Sequence, residues 1–365
     1  MLDNLTAILE QGNDIMIFTL EYPGLGMPSL DSIAKVEPES RENLFGHFRG
    51  FFERRRTIES VQQIDRWEPD VVILNKNCGF AGWMSGQLKA PLVAYVHDVW
   101  SLMRTTALPP PKPMSSHAIK NWLYKSRHRF DIGGLLNRGL GSTRLVISPS
   151  EWLAHQIRSA YPEVRCAVIP HGVKHSQFAP TWEDKGYLLC SGRMHREKNF
   201  ELAIGAAKSA RIPLVIAGST GNKSDKTHAQ AMRYVEELRA LGGGQVQFKL
   251  DINDEQYVRL LQGCSLYLNT GKKEVFGLAP LEAMACGKPV IAVGASGIRE
   301  TVDGGGIILG EDPDEWGMEL NRMMASSSLR LEHGKRAHDY SMNFTWEKTA
   351  ALLTAAITDT IGWRS

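Results

Sequence analysis

Short apolar runs alternate along the whole chain with stretches in which apolar residues recur every three or four positions. The runs read as buried strands and the periodic stretches as helices laid against them, an α/β pattern with parallel sheets. In the first half the expected strands lie at 14–20, 70–74, 91–96, 144–147 and 166–169. In the second half they lie at 186–190, 213–217, 245–248, 265–268, 289–293 and 306–309. Helices are expected at 2–11, 151–160, 200–210, 229–241, 254–262 and 280–286, with a terminal helix near 345–360. Pro170-His171-Gly172 through Pro180 has turn residues at both ends and no clear period, which marks a linker. The expected domains are therefore 1–170 and 184–344, joined by 171–183 and followed by a helical tail at 345–365.

At 365 residues the chain has room for two domains of ordinary size. Apolar and charged contents of 43% and 22% are those of a soluble globular protein. A net charge of +2 makes no global call for nucleic acid. Cys78, Cys166, Cys190, Cys264 and Cys286 are widely spaced and never form a C-x2-C pair, which disfavours a disulfide framework or a zinc site. No apolar run is long enough to cross a bilayer, and the start lacks the basic and apolar regions of a signal peptide. The simplest location is the cytoplasm.

The most informative stretch runs from Glu274 to Ala292. Glu274 and Glu282 stand eight residues apart around Phe276-Gly277-Leu278 and Pro280, ahead of a small-residue helix and an apolar strand. A proline at the first helical position starts the helix near Pro280, which puts Glu282 in its first turn and Glu274 on the loop before it. The backbone N–H groups of Gly277, Leu278 and Ala279 then converge on one anion site. Two carboxylates beside a phosphate pocket suit a ligand with both hydroxyls and phosphates, such as a nucleotide sugar. An acid in a first helical turn is also favourable by itself, against the macrodipole.

Ser191-Gly192-Arg193 to Lys198-Asn199 follows a strand and precedes a helix that Asn199 is placed to cap. Ligands of open α/β sheets gather beyond the carboxyl ends of strands, where Arg193 and Lys198 fall. Arginine offers a fork to two phosphate oxygens and lysine a compact charge, the cations a departing diphosphate needs. Val96-His97-Asp98 ends a strand of the first half, and Gly218-Ser219-Thr220-Gly221 follows one of the second. A histidine at a strand end also serves as an ordinary hydrogen-bonder, and a βα turn needs glycine for its own geometry.

Glu274, Phe276, Gly277, Pro280, Glu282, Gly287 and Pro289, with Gly192-Arg193 and Lys198, closely resemble the signature segments of glycosyltransferase family 4. The similarity spans nearly all the chain and is strongest from Tyr187 to Val302. It implies the GT-B fold: two Rossmann-like domains with parallel sheets facing across a cleft, and a C-terminal helix returning to the N-terminal, acceptor-binding domain. It implies that Arg193, Lys198, Gly277 and Leu278 hold the donor diphosphate and Glu282 the ribose hydroxyls. Glu274 meets the sugar as a catalytic residue, His97 lies near the donor sugar, and Gly218 belongs to the donor-site glycine turn. It further implies a retaining, metal-independent transfer from a UDP- or GDP-linked sugar to a glycan, lipid-linked or small-molecule acceptor, without a cofactor.

Two features depart from the family pattern. The chain begins within what resembles the helix after the family's opening strand and glycine-rich loop, so that strand and loop are expected to be missing from the acceptor domain. The linker carries His171 before Gly172 where the family commonly has asparagine. A nucleotide-sugar-binding subunit without activity is therefore the alternative, and a nucleotide-sugar epimerase a third reading that the charged pairs disfavour. Eight Lys or Arg against Asp131 alone between Arg104 and Arg144, interleaved with Trp122, Tyr124 and Phe130, suit peripheral contact with an anionic membrane at its inner face. They equally suit a solvated face of the acceptor domain. Asp312-Pro313-Asp314, the one D-x-D triplet, reads as a loop and helix start rather than a metal site.

Overall fold

The computed structural model describes residues 17–20, 33–36, 62, 64–74, 86–97, 140, 143–221 and 226–362. The chain forms two compact units: Met1–Ser148, Ala154–Ile169 and Ala350–Ser365 make the first, Pro149–Leu153 and Pro170–Thr349 the second. The expected helix at 2–11, Asp98, and nearly all of the basic 104–144 stretch lie outside the described residues.

In the first unit β1 (Ile17–Leu20) pairs in parallel with β2 (Ile33–Val36). A second parallel sheet runs β3 (Val72–Leu74), β4 (Leu92–Tyr95), β5 (Leu145–Ser148), β6 (Cys166–Val168), in chain order. Every residue of β4 and β5 is buried, as expected of central parallel strands covered on both faces. α1 (Glu151–Ala160) carries Leu153, Ala154 and Ile157 on one buried stripe. The Tyr95 hydroxyl donates to the carbonyl of Ile169 at 3.3 Å, tying β4 to the end of the unit.

The second unit has a six-stranded, wholly parallel sheet in the order β12-β11-β10-β7-β8-β9. Its strands are β7 (Leu188–Arg193), β8 (Leu214–Ser219), β9 (Val246–Leu250), β10 (Leu266–Asn269), β11 (Val290–Val293) and β12 (Ile307–Leu309). Period-two alternation sorts their side chains to two cores. Leu188, Cys190, Leu214, Ile216, Leu266, Leu268, Ile291 and Val293 share one face with α2 (Phe200–Ala210), α3 (Lys226–Gly242) and α7 (Pro313–Met324). Leu189, Val215, Tyr267, Val290 and Ala292 share the other with α4 (Asp254–Gly263), α5 (Leu278–Ala285), α6 (Ile298–Val302) and α8 (Ser327–Ser341).

Several local expectations need adjusting. α5 begins at Leu278 with Gly277 as its N-cap, two residues before the expected start, so Glu282 lies in the second turn. Gly277 at φ 99° enters the helix from the left-handed region that glycine tolerates. Asn199 stands before α2 but is itself left-handed, at φ 50°, and makes no side-chain cap bond. Asp312 caps α7, accepting from the Asp314 amide at 3.1 Å with Pro313 in the first turn. α9 (Trp346–Ile361) begins in the second unit and, from Ala350, belongs to the first, where Asp359 pairs with Arg165.

Trp316 is fully buried on α7, and its indole N–H donates to the Gly310 carbonyl at 2.8 Å. Trp316→Ala is expected to cost about 3–5 kcal/mol and to lower the urea midpoint of the second unit accordingly. An unchanged midpoint would show that this core does not depend on the indole.

Candidate active site

Chain order turns round between β7 and β10. From β7 the chain proceeds to β8 and β9 on one side, and from β10 to β11 and β12 on the other. The loops that leave these two adjacent strands diverge, and the opening at their carboxyl ends is where open α/β sheets place ligands. β7 ends at Arg193 and the loop after it carries Lys198, while the loop after β10 carries Glu274.

Three contacts sew the loops together. Lys198 forms an ion pair with Glu274, the Thr270 hydroxyl donates to the Lys198 carbonyl at 2.9 Å, and the Lys272 amide donates to the Glu197 carbonyl at 3.1 Å. The paired side chains are 24% and 16% exposed, shielded enough for the pair to matter yet open to a ligand. Glycine makes this packing possible. A Cβ on Gly192 would press on the Lys198 methylenes at 3.1 Å, and one on Gly271 would lie 2.8 Å from the Glu274 carboxylate.

Arg193, the last residue of β7, is exposed, and its guanidinium makes no bond to another described residue. Gly277, three residues after Glu274, caps α5, and Leu278 opens it. Amides at the start of a helix lack intrahelical partners, so this end of α5 offers donors to an anion. Phe276 anchors the loop below: it is buried, and its carbonyl accepts from the Thr301 hydroxyl at 2.6 Å. Gly297 lets α6 approach the same loop, since a Cβ there would overlap the Val275 carbonyl.

Gly218 lies inside β8, in register with Gly192, and not on the turn where the sequence suggested it. A Cβ on it would clash with the Met194 side chain, so its smallness serves packing. The left-handed turn glycine is Gly221, at φ 79°. His97 belongs to the first unit, just after β4, and its ring stacks on Tyr95 with centroids 4.5 Å apart. The structure thus gathers Arg193, Lys198, Glu274, Gly277, Leu278 and Glu282 in the second unit, and His97 is not among them.

Glu282 differs sharply from Glu274. Burial pushes its carboxyl up to about 7, a bond from Tyr257 pulls it down, and nearby Asp254 raises it. The Tyr257 hydroxyl donates to Glu282 Oε2 at 3.1 Å. Ser191 Oγ lies 3.0 Å from the Tyr257 hydroxyl and 2.7 Å from that of Tyr267. Sequence reasoning missed both tyrosines, because no spacing relates 257 or 267 to 191 and 282. Ser191 stood within a quoted motif without a role. A second polar group at the strand ends was also missed: Asp251 accepts from the Thr220 amide at 2.7 Å and from its hydroxyl at 2.5 Å.

The profile of Glycosyl transferases group 1 matches residues 174–340, and that of Glycosyltransferase Family 4 matches residues 2–177. Among solved structures, sucrose-phosphate synthase from Thermosynechococcus elongatus superposes with a TM-score of 0.77 at 18% identity, over 97% of this chain and 90% of that one. HepE of Anabaena, solved with UDP-glucose, superposes with a TM-score of 0.68 at 18% identity, over 95% of this chain and 100% of that one. The fold is GT-B, two parallel-sheet α/β units. The chain belongs to the family 4 glycosyltransferases.

Sequence relatives agree in kind. A D-inositol 3-phosphate glycosyltransferase of Stackebrandtia nassauensis is 31% identical over 45% of this chain and 37% of its own length. An alpha-1,3/1,6-mannosyltransferase of Rhizomucor pusillus is 33% identical over 36% of each chain. The chain thus spans less than half the length of these two relatives.

The raised carboxyl of Glu282 has a consequence for stability. In the folded chain it keeps its proton from the ordinary value of 4.5 up to about 7, so stability falls as pH rises through that window. The loss is on the order of 3 kcal/mol for this group alone. Glu282→Gln removes the charge but not the shape, so its melting temperature relative to the parent should rise from pH 5 to pH 8. An offset independent of pH would count against a buried, costly charge here.

Proposed function

We propose that this protein is a retaining glycosyltransferase that moves a sugar from a nucleotide diphosphate donor to a glycan, lipid-linked or small-molecule acceptor. The observation that carries the reading is the Lys198–Glu274 pair at the β7/β10 opening, beside the amides that begin α5. Arg193, Lys198 and the Gly277–Leu278 backbone receive the diphosphate, whose negative charge grows as the bond to the sugar breaks. Glu282 accepts from the ribose hydroxyls, and Glu274, released from part of its contact with Lys198, faces the sugar. His97 takes the sugar-facing role that the family resemblance implies. These cations and amides supply the positive charge without a cofactor or metal.

In the proposed step the acceptor oxygen attacks the anomeric carbon on the face that the diphosphate leaves. The bond from carbon to the phosphate oxygen breaks as the new glycosidic bond forms, and the acceptor proton passes to the departing phosphate. Configuration is retained. UDP-linked sugars are the first donors to try, since the HepE structures contain UDP and UDP-glucose, and GDP-linked sugars the second. The reading places the protein in the cytoplasm. The basic 104–144 segment brings it to an anionic inner membrane face, where a lipid-linked acceptor would be met.

A thermal-shift panel of UDP, GDP and their sugars tests the donor assignment: at least one should raise the melting temperature, and a flat response to all would sink the reading. Lys198→Ala should weaken nucleotide diphosphate binding about tenfold or more, measured by calorimetry. Glu274→Ala should lower transfer about a hundredfold or more while nucleotide binding stays within a few-fold, followed by release of nucleoside diphosphate. Nucleotide-sugar binding without turnover on any acceptor would instead mark a binding subunit.

A further inference from the structure

Glu282 is one of four side chains joined by hydroxyl contacts across four elements: Tyr267 on β10, Ser191 on β7, Tyr257 on α4 and Glu282 on α5. Burial holds the phenols of Tyr257 and Tyr267 protonated, so both can act as donors. The Tyr257 hydroxyl donates its hydrogen bond to Glu282 Oε2. The Tyr257 oxygen is then free to accept from Ser191, and Ser191 in turn from Tyr267. All three hydroxyl protons point the same way, toward the carboxylate. Aligned bonds of this kind polarise and strengthen one another.

The terminal torsion of a glutamate is broad and nearly two-fold, so the side chain alone does not fix which way its oxygens face. Here Oε2 is held at 3.1 Å by a hydroxyl on a ring packed against the unit's core. Tyr267, at the far end of the chain of hydroxyls, is fully buried. Holding Oε2 leaves the acceptor capacity of Oε1 for a further donor. Ser191 belongs to β7 and Tyr267 to β10, the two strands whose divergence makes the opening.

We propose that Tyr257, backed by Ser191 and Tyr267, is the positioning residue that aims the Glu282 carboxylate at the ribose of the nucleotide donor. This rests on the ribose role of Glu282 proposed above. The protein's own side chains hold the carboxylate, which lowers the cost of ordering it on binding.

The test is calorimetric titration of UDP against 2′-deoxy-UDP, and of GDP against 2′-deoxy-GDP, into the full chain and its variants. At pH 8, above the raised value of about 7 for Glu282, the parent should prefer the ribonucleotide about tenfold or more, because a hydrogen bond to a charged group is lost with the 2′-hydroxyl. Glu282→Gln should abolish most of that preference. Tyr257→Phe, which removes one oxygen, should cut it about threefold or more and leave deoxynucleotide affinity nearly unchanged. Ser191→Ala should shift it in the same direction by less, and it decides the matter if Tyr257→Phe does not fold.

If Tyr257→Phe keeps the full preference while Glu282→Gln loses it, the positioning role is overturned and the ribose assignment stands. If Tyr257→Phe weakens both nucleotides equally, the tyrosine is structural and the proposal fails. If Glu282→Gln keeps the preference, the ribose assignment falls, and the positioning role with it.

Discussion

Where chain order reverses within a parallel sheet, two neighbouring strands send their following loops in opposite directions, and the candidate site is a product of that reversal. β7 and β10 pair in parallel through Leu188–Cys190 and Leu266–Leu268, yet the chain leaves them for opposite halves of the sheet. Diverging loops leave an opening, and an opening over strand ends would be loose unless something closed it below. The Lys198–Glu274 pair, the Thr270 hydroxyl on the Lys198 carbonyl and the Lys272 amide on the Glu197 carbonyl do so. Glycines at 192 and 271 give the paired side chains room to lie flat against the backbone.

The two carboxylates of the signature are handled by opposite physics. Glu274 has a cation in contact and remains partly open to solvent, so its charge is compensated within the site. Glu282 has no cation in contact among the described residues, only a phenol, and burial makes its charge costly. A partly buried ion pair is weak support for stability but a strong constraint on geometry, because removing either partner strands the other. A buried carboxyl with one donor is held ready for further donors. That division suits one residue facing the reacting end of a donor and the other its sugar ring.

Much of this was legible in the sequence, for reasons that can be named. Residues 265–268 and 289–293 announced strands because burial on both faces favours apolar residues, and 306–309 did so as a short apolar run on the half-buried sheet edge; the structure has β10, β11 and β12 there, each within two residues at either end. The β7 and α5 boundaries were read less well. β7 runs on through Ser191-Gly192-Arg193, where polar and glycine residues hid the strand. α5 starts at Leu278 because a left-handed Gly277 turns the chain before Pro280 is reached. Gly218 looked like a turn residue, but its place in β8 answers to the Met194 side chain, a contact made across two strands.

The sequence by itself determined the α/β class, the place of the donor-type motifs after strands, and the presence of their cations and acids in one domain. These are written in local periodicity and in spacings of a few residues. Only the tertiary structure decided that Lys198 meets Glu274, that Asp251 holds Thr220, and that Tyr257 and Tyr267 converge through Ser191 on Glu282. The physical reason is strand order. The sheet places β10 beside β7, although three helices and two strands separate them along the chain. No pattern within a short window of sequence encodes which hydroxyl will then face which carboxylate.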